Sequence, residues 1–199
     1  DGRVTVSWVA SAERGSPITG YMVTASPGGK SCSTLGALTC DVTGLTNGAA
    51  YTFSVTATNA VGTSEPSTAS SAVTPAGVPL VPGSVLVSQV THQSVTVSWA
   101  AAVENGAAVT GYTVTASPGG ASCSGAAADR SCVISGLQMG TSYTFSVVAT
   151  NAKGASLAGV SSSVTMAAMS PLAPTGVSTS AGDGRVTVSW VASAERGSP

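Results

Sequence analysis

The chain has 199 residues, a formal net charge of −1 and only 8% charged side chains, against about 25% in an ordinary soluble domain. Seven Lys and Arg make no basic stripe for phosphates, which excludes nucleic acid, and eight scattered Asp and Glu make no field to steer a cation. No run of 18 apolar residues is present, so no membrane span is expected in this segment.

The first element is read from Val4, Val6 and Trp8, which alternate with Thr5 and Ser7. Period two with β-branched residues is a half-buried strand. Ala10–Pro17 breaks the pattern with Gly15 and Pro17 and is a loop. Thr19–Ser26 is the next strand, with Tyr21 and Val23 inward, and Pro27-Gly28-Gly29 ends it. Thr39–Thr43 is a short strand carrying Cys40 and Val42. After Gly44–Gly48 comes the longest alternation: Tyr51, Phe53, Val55 and Ala57 on one face, hydroxyls on the other. Ser67–Thr74 reads as a last, weakly apolar strand. No stretch carries helical period, so the chain reads as all-β, with alternating rows buried between two sheets.

The same steps then recur about 91 residues on: Val95, Val97, Trp99; Tyr112, Val114; Cys132, Ile134; Leu137; Tyr143, Phe145, Val147. Pro82–Gln89 supplies a strand ahead of the Trp99 strand that the first unit lacks. Residues 183–199 then repeat residues 1–17 without a change, with Asp183-Gly184 as a hairpin turn. The expected organisation is a module at 1–76 lacking its first strand, a linker at 77–81, and a complete module at 82–168. A second linker at 169–173 and the first two strands of a third module at 174–199 follow. The expected core holds Trp8, Tyr21, Tyr51, Phe53, Trp99, Tyr112, Tyr143, Phe145 and Trp190.

Four cysteines fall in two close pairs, Cys32 with Cys40 and Cys123 with Cys132. A metal motif would want CxxC spacing or nearby histidine, and His92 is the sole histidine. Local disulfides are expected, and with them an oxidising, extracellular or cell-surface setting.

These residues carry a resemblance. TVSW at Thr5–Trp8 and Thr96–Trp99, TGY on the following strand, and GL-x5-Y-x-F-x-V-x-A-x-N on the long strand resemble tandem fibronectin type III domains. The PGG turn, cysteine pair and ATNAVG wording are similar to the bacterial secreted and surface type. The resemblance implies tandem seven-stranded, immunoglobulin-like sandwiches in a linear array. It also places Leu45 with Tyr51, and Leu137 with Tyr143, at the tyrosine corner, where the phenol bonds nearby backbone. The loops NAVGTS and NAKGAS lack the RGD of integrin-binding members, so that function does not carry over.

No catalytic, cofactor or metal residue is expected. His92 lies at a turn without a repeated acid partner, and strand hydroxyls alone are weak nucleophiles. No DxDxDG loop is present, and Asn47, Asn59, Asn105 and Asn151 are not in glycosylation sequons. Glu13 with Arg14, Glu195 with Arg196, and Arg3 and Arg185 read as loop or solvated charge. The functional expectation is a structural repeat of an extracellular filament, sheath or surface fibre. In it, further copies, tandem or head to tail, complete the ends and give Trp190 a mate. The alternatives are an adhesive or glycan-binding module, or spacer modules of a secreted polysaccharide-degrading enzyme.

Overall fold

A computed structural model describes residues 1–193; the repeat positions Glu195, Arg196 and Pro199 lie outside the described residues. The chain is all-β and divides into two compact units. The first takes Asp1–Leu80 with Val103–Val109 and Thr150–Ala155; the second takes the remainder from Val81.

In the first unit, β1 (Val4–Ser7) pairs with β4 (Thr39–Val42), while β3 (Ser31–Thr34), β2 (Ile18–Ser26) and β5 (Thr52–Asn59) form the opposing sheet in the order β3-β2-β5. Alternation sets the burial. On β2, Tyr21, Val23 and Ala25 are buried while Met22, Thr24 and Ser26 face out. Val23 and Ala25 meet Val42, Leu45, Tyr51 and Phe53 in one cluster. Strand β3 was not expected, because Ser31–Thr34 carries little apolar signal; backbone pairing of Val23 with Cys32 and Thr24 with Ser31 makes it a strand. Val4, Val6 and Trp8 are only half-buried against the cluster. Among the described residues β1 has β4 on one side and no strand on the other.

In the second unit, β10 (Ser131–Ser135), β7 (Ser94–Ser98) and β6 (Leu86–Ser88) form one sheet. The other holds β11 (Ser142–Asn151), β8 (Val109–Ser117) and β9 (Ser122–Ala126), with β13 (Gly159–Val160) and β14 (Val164–Thr165) paired piecewise on β11, while β12 (Gly154–Ala155) pairs with Thr150 and Asn151 at the end of β11, residues that fall in the first unit. Here β6 covers the outer side of β7, and Val95, Val97 and Trp99 are buried. Ile134, Leu137, Tyr112, Tyr143, Phe145 and Val147 complete this core.

The glycine of each TGY motif has a packing cause. A Cβ on Gly20 would stand 2.9 Å from the Thr34 carbonyl oxygen, and one on Gly111 2.9 Å from that of Gly125. Both are backbone atoms, so any side chain there would push the adjoining strand away.

Seven strands per module is not what forms. Among the described residues the first module shows five strands, β1–β5, and the second nine, β6–β14. The difference lies in the last segment. Ser67–Thr74, expected as a strand, makes only the isolated bridge Tyr51↔Val73. Its contacts come every third residue instead. Ser64, Ser67 and Ser70 donate backbone N–H to the carbonyls of Ala57, Val55 and Phe53, each at 2.9 Å. Their hydroxyls accept the N–H of those same residues at 3.0–3.1 Å. Each hydroxyl also donates to the next carbonyl of its own segment. Ser156 and Ser161 repeat the arrangement against Ala149 and Phe145. A hydroxyl thus stands in for a ladder carbonyl, and the segment escapes period two.

Past the second module, β15 (Thr175–Gly182) and β16 (Arg185–Val191) form a hairpin across Asp183-Gly184, with Gly184 at φ +62°. Every residue of both strands is exposed. Trp190, expected in a core, is 60% exposed, because no second sheet covers the hairpin among the described residues.

Candidate functional site

Each strand pair positions its loops through a phenol. Tyr51 Oη accepts the Thr46 N–H and Tyr143 Oη accepts the Gln138 N–H, both at 3.0 Å, which fixes the turn before each long strand. The Thr46 bond favours the phenolate and holds the Tyr51 pKa below its ordinary 10.0, with a smaller pull from Lys30. Tyr21 and Tyr112 act on the other side: their hydroxyls accept the N–H of Ser11 at 3.2 Å and of Ala102 at 3.0 Å. They also pack on the tryptophans with tilted rings, Trp8 with Tyr21 at 5.5 Å and Trp99 with Tyr112 at 5.3 Å between ring centroids.

The asparagine that ends the long strand shapes the next loop. Asn59 Oδ1 accepts the N–H of Val61 at 3.0 Å and of Gly62 at 3.2 Å, and Asn151 Oδ1 accepts that of Lys153 at 2.8 Å. This is an Asx turn, and it gives the ATN wording a local cause.

Cys32 on β3 is bonded to Cys40 on β4, and Cys123 on β9 to Cys132 on β10. Each bridge crosses from one sheet of its sandwich to the other, with Cα atoms 6.2 and 6.3 Å apart. No described cysteine is left free.

The pinned loops of the first unit enclose a cleft of about 490 Å³, within the range of ligand pockets. Ser11, Glu13, Arg14 and Ile18 form one wall, Asn59 and Gly62 the other. It holds no histidine or cysteine. Its polar side chains are Glu13 and Arg14, the Asn59 carboxamide and the hydroxyls of Ser11, Thr63 and Ser64.

The remaining singled-out residues are scattered. His92 Nδ1 lies 3.2 Å from the Ala167 carbonyl on an exposed turn. Arg3 pairs with Asp41 at 3.2 Å, both well exposed, and Arg185 lies on the exposed hairpin. Among the described residues no three His, Cys, Asp or Glu could hold a metal together. Also among them, no helix is long and apolar enough to cross a membrane.

A family model described as the fibronectin type III domain matches residues 1–73 and 80–165. Chitinase A1 of Niallia circulans is 36% identical over 160 residues, covering 76% of this chain and 22% of that protein. The chain therefore spans under a quarter of the length of this relative. The crystal structure of chicken CNTN1 FN1-FN3 domains is similar at a TM-score of 0.47 and 24% identity, over 96% of this chain and 71% of that one.

Proposed function

The chain belongs to the fibronectin type III family, and from that premise we propose that its non-catalytic modules are spacers in a secreted protein that degrades a polysaccharide. The observation that carries this reading is the 36% identity to a chitinase over 160 residues, a match that covers 22% of that protein. Two features support it. The inter-sheet bridges suit an oxidising, extracellular setting. The aromatic side chains are inward, Trp190 apart, which leaves the modules without a flat ring platform for sugar. In this reading the modules fall at 1–76 and 82–168, joined by the linker at 77–81, with 174–199 opening a third.

A spacer holds a catalytic domain at a distance from its anchor. Deleting residues 1–165 from the parent polypeptide is expected to leave turnover of soluble oligosaccharide unchanged and to lower turnover of insoluble polymer several-fold. Equal loss on both substrates would refute the spacer role, as would a parent reading frame without a hydrolase domain.

The unbroken recurrence of residues 1–17 at 183–199 favours a second reading, a filament of tandem modules completed head to tail by further copies. Dozens of near-identical modules in the parent, with rods in electron micrographs, would place it first.

A further inference from the structure

The first unit contains the same loop pair twice, and the two copies differ in one respect. Ser11–Ile18 with Asn59–Ser64 encloses the cleft. Val103–Val109 with Asn151–Ala155 repeats Ala12–Ile18 with Asn59–Thr63. Their backbones agree: Arg14 and Gly15 have φ of 49° and 90°, Asn105 and Gly106 of 56° and 87°.

In the repeat, an extended segment lies across the loops. The Gly77 N–H donates to the Asn105 carbonyl at 2.9 Å, and the Leu80 N–H to the Val103 carbonyl at 3.0 Å. Asn105 Nδ2 donates to the Val78 carbonyl at 2.8 Å, and Asn151 Nδ2 to that of Gly77 at 2.9 Å. Gly154 leaves room for Val78, whose Cγ1 stands 3.2 Å from where a Cβ would be. In the cleft, Asn59 and Gly62 occupy the places of Asn151 and Gly154, and among the described residues Asn59 Nδ2 donates to the Ser16 carbonyl alone, at 3.3 Å.

The sequence identifies what fits there. Pro79-Leu80-x-Pro82 recurs as Pro171-Leu172-x-Pro174, which puts Met169 and Ser170 at the places of Gly77 and Val78. That second segment is the one that runs ahead of the copy of residues 1–17, and residues 11–17 are one wall of the cleft. We propose that the cleft is a docking groove for the Met169–Leu172 segment of a second copy of this chain, seated as Gly77–Leu80 is on the repeat. Asn59 Nδ2 then donates to the Met169 carbonyl, the Leu172 N–H to the Ala12 carbonyl, and Gly62 admits Ser170. This rests on the head-to-tail completion named above and gives it an address.

Sedimentation velocity of the 199-residue chain tests it, from about 1 µM to 1 mM, where a contact of this size is measurable. The wild type is expected to associate as concentration rises. Gly62→Leu fills the groove at a position where a Cβ meets nothing within 4 Å. Leu172→Asp changes a side chain that is 55% exposed. Each is expected to raise the dissociation constant at least about tenfold. Leu35→Asp, on an exposed residue outside the cleft, is expected to change nothing. A wild type that stays monomeric throughout overturns the proposal. So does association that survives Leu172→Asp, or that Leu35→Asp weakens equally. If Gly62→Leu melts early, Leu172→Asp decides. The spacer role is tested in the parent hydrolase, so either reading can fail while the other stands.

Discussion

Tyr143, Ser161 and Tyr51 show how single hydroxyls hold these modules. Tyr143→Phe removes the acceptor of the Gln138 N–H while keeping the ring in the core. Urea unfolding is expected to show a loss of about 1–2 kcal/mol, the cost of one orphaned backbone donor. Ser161→Ala strips the buried Phe145 N–H of its partner, whereas Ser67→Ala does the same to an exposed bond. The first is expected to cost about 1–3 kcal/mol and the second less, because water replaces the lost hydroxyl. Tyr51 supplies a pH test. Its folded pKa is depressed, so its titration adds stability as pH climbs toward the ordinary 10.0 and adds none at neutrality. The urea midpoint of wild type relative to Tyr51→Phe is expected to rise as pH approaches 10.0 from below. A flat difference would remove the assignment of that hydrogen bond as the cause.

At the scale of strands and loops, the disulfides and the TGY glycines are the parts with a measurable share. Each bridge closes a loop of eight or nine residues. Replacing Cys123 and Cys132 together by serine is expected to cost about 2–3 kcal/mol in the chain-entropy account, read as a lower melting temperature of the second module. Gly111→Val forces a side chain onto the Gly125 carbonyl and is expected to cost about 1–3 kcal/mol. Much at this scale was legible beforehand. Tyr51, Phe53, Val55 and Ala57 announce β5 because burial on one face enforces period two. Tyr51 and Tyr143 announce the corner through their constant distance from Leu45 and Leu137. What escaped had no apolar signature. β3 and β9 are Ser-rich and are strands through pairing alone. Ser64, Ser67 and Ser70 keep period three, which reads as an ordinary polar run unless the hydroxyl is counted as a ladder partner. Trp8 and Trp190 share their sequence context with Trp99, yet burial depends on a neighbouring strand for Trp8 and on a facing sheet for Trp190, neither of which side-chain type encodes. The cleft was illegible for a related reason: its walls, Ser11–Ile18 and Asn59–Ser64, lie far apart in sequence and are ordinary loop residues taken singly.

For the molecule as a whole, the scarcity of charge is the governing fact. Among the described residues the ion pair Arg3–Asp41 is exposed and contributes little. Apolar rows and backbone ladders supply the stability, so raising salt from low ionic strength to about 0.5 M is expected to move the unfolding free energy by under about 0.5 kcal/mol. A large salt dependence in a thermal melt would reveal ionic contacts not counted so far. The serine ladder bears on how such weakly charged molecules avoid clumping. The hydroxyls of Ser64, Ser67 and Ser70 already engage the carbonyls of Glu65, Thr68 and Ser71, so a foreign strand arriving on that flank finds its acceptors spoken for. Sideways growth into a continuous ribbon is blocked on that flank without a single lysine.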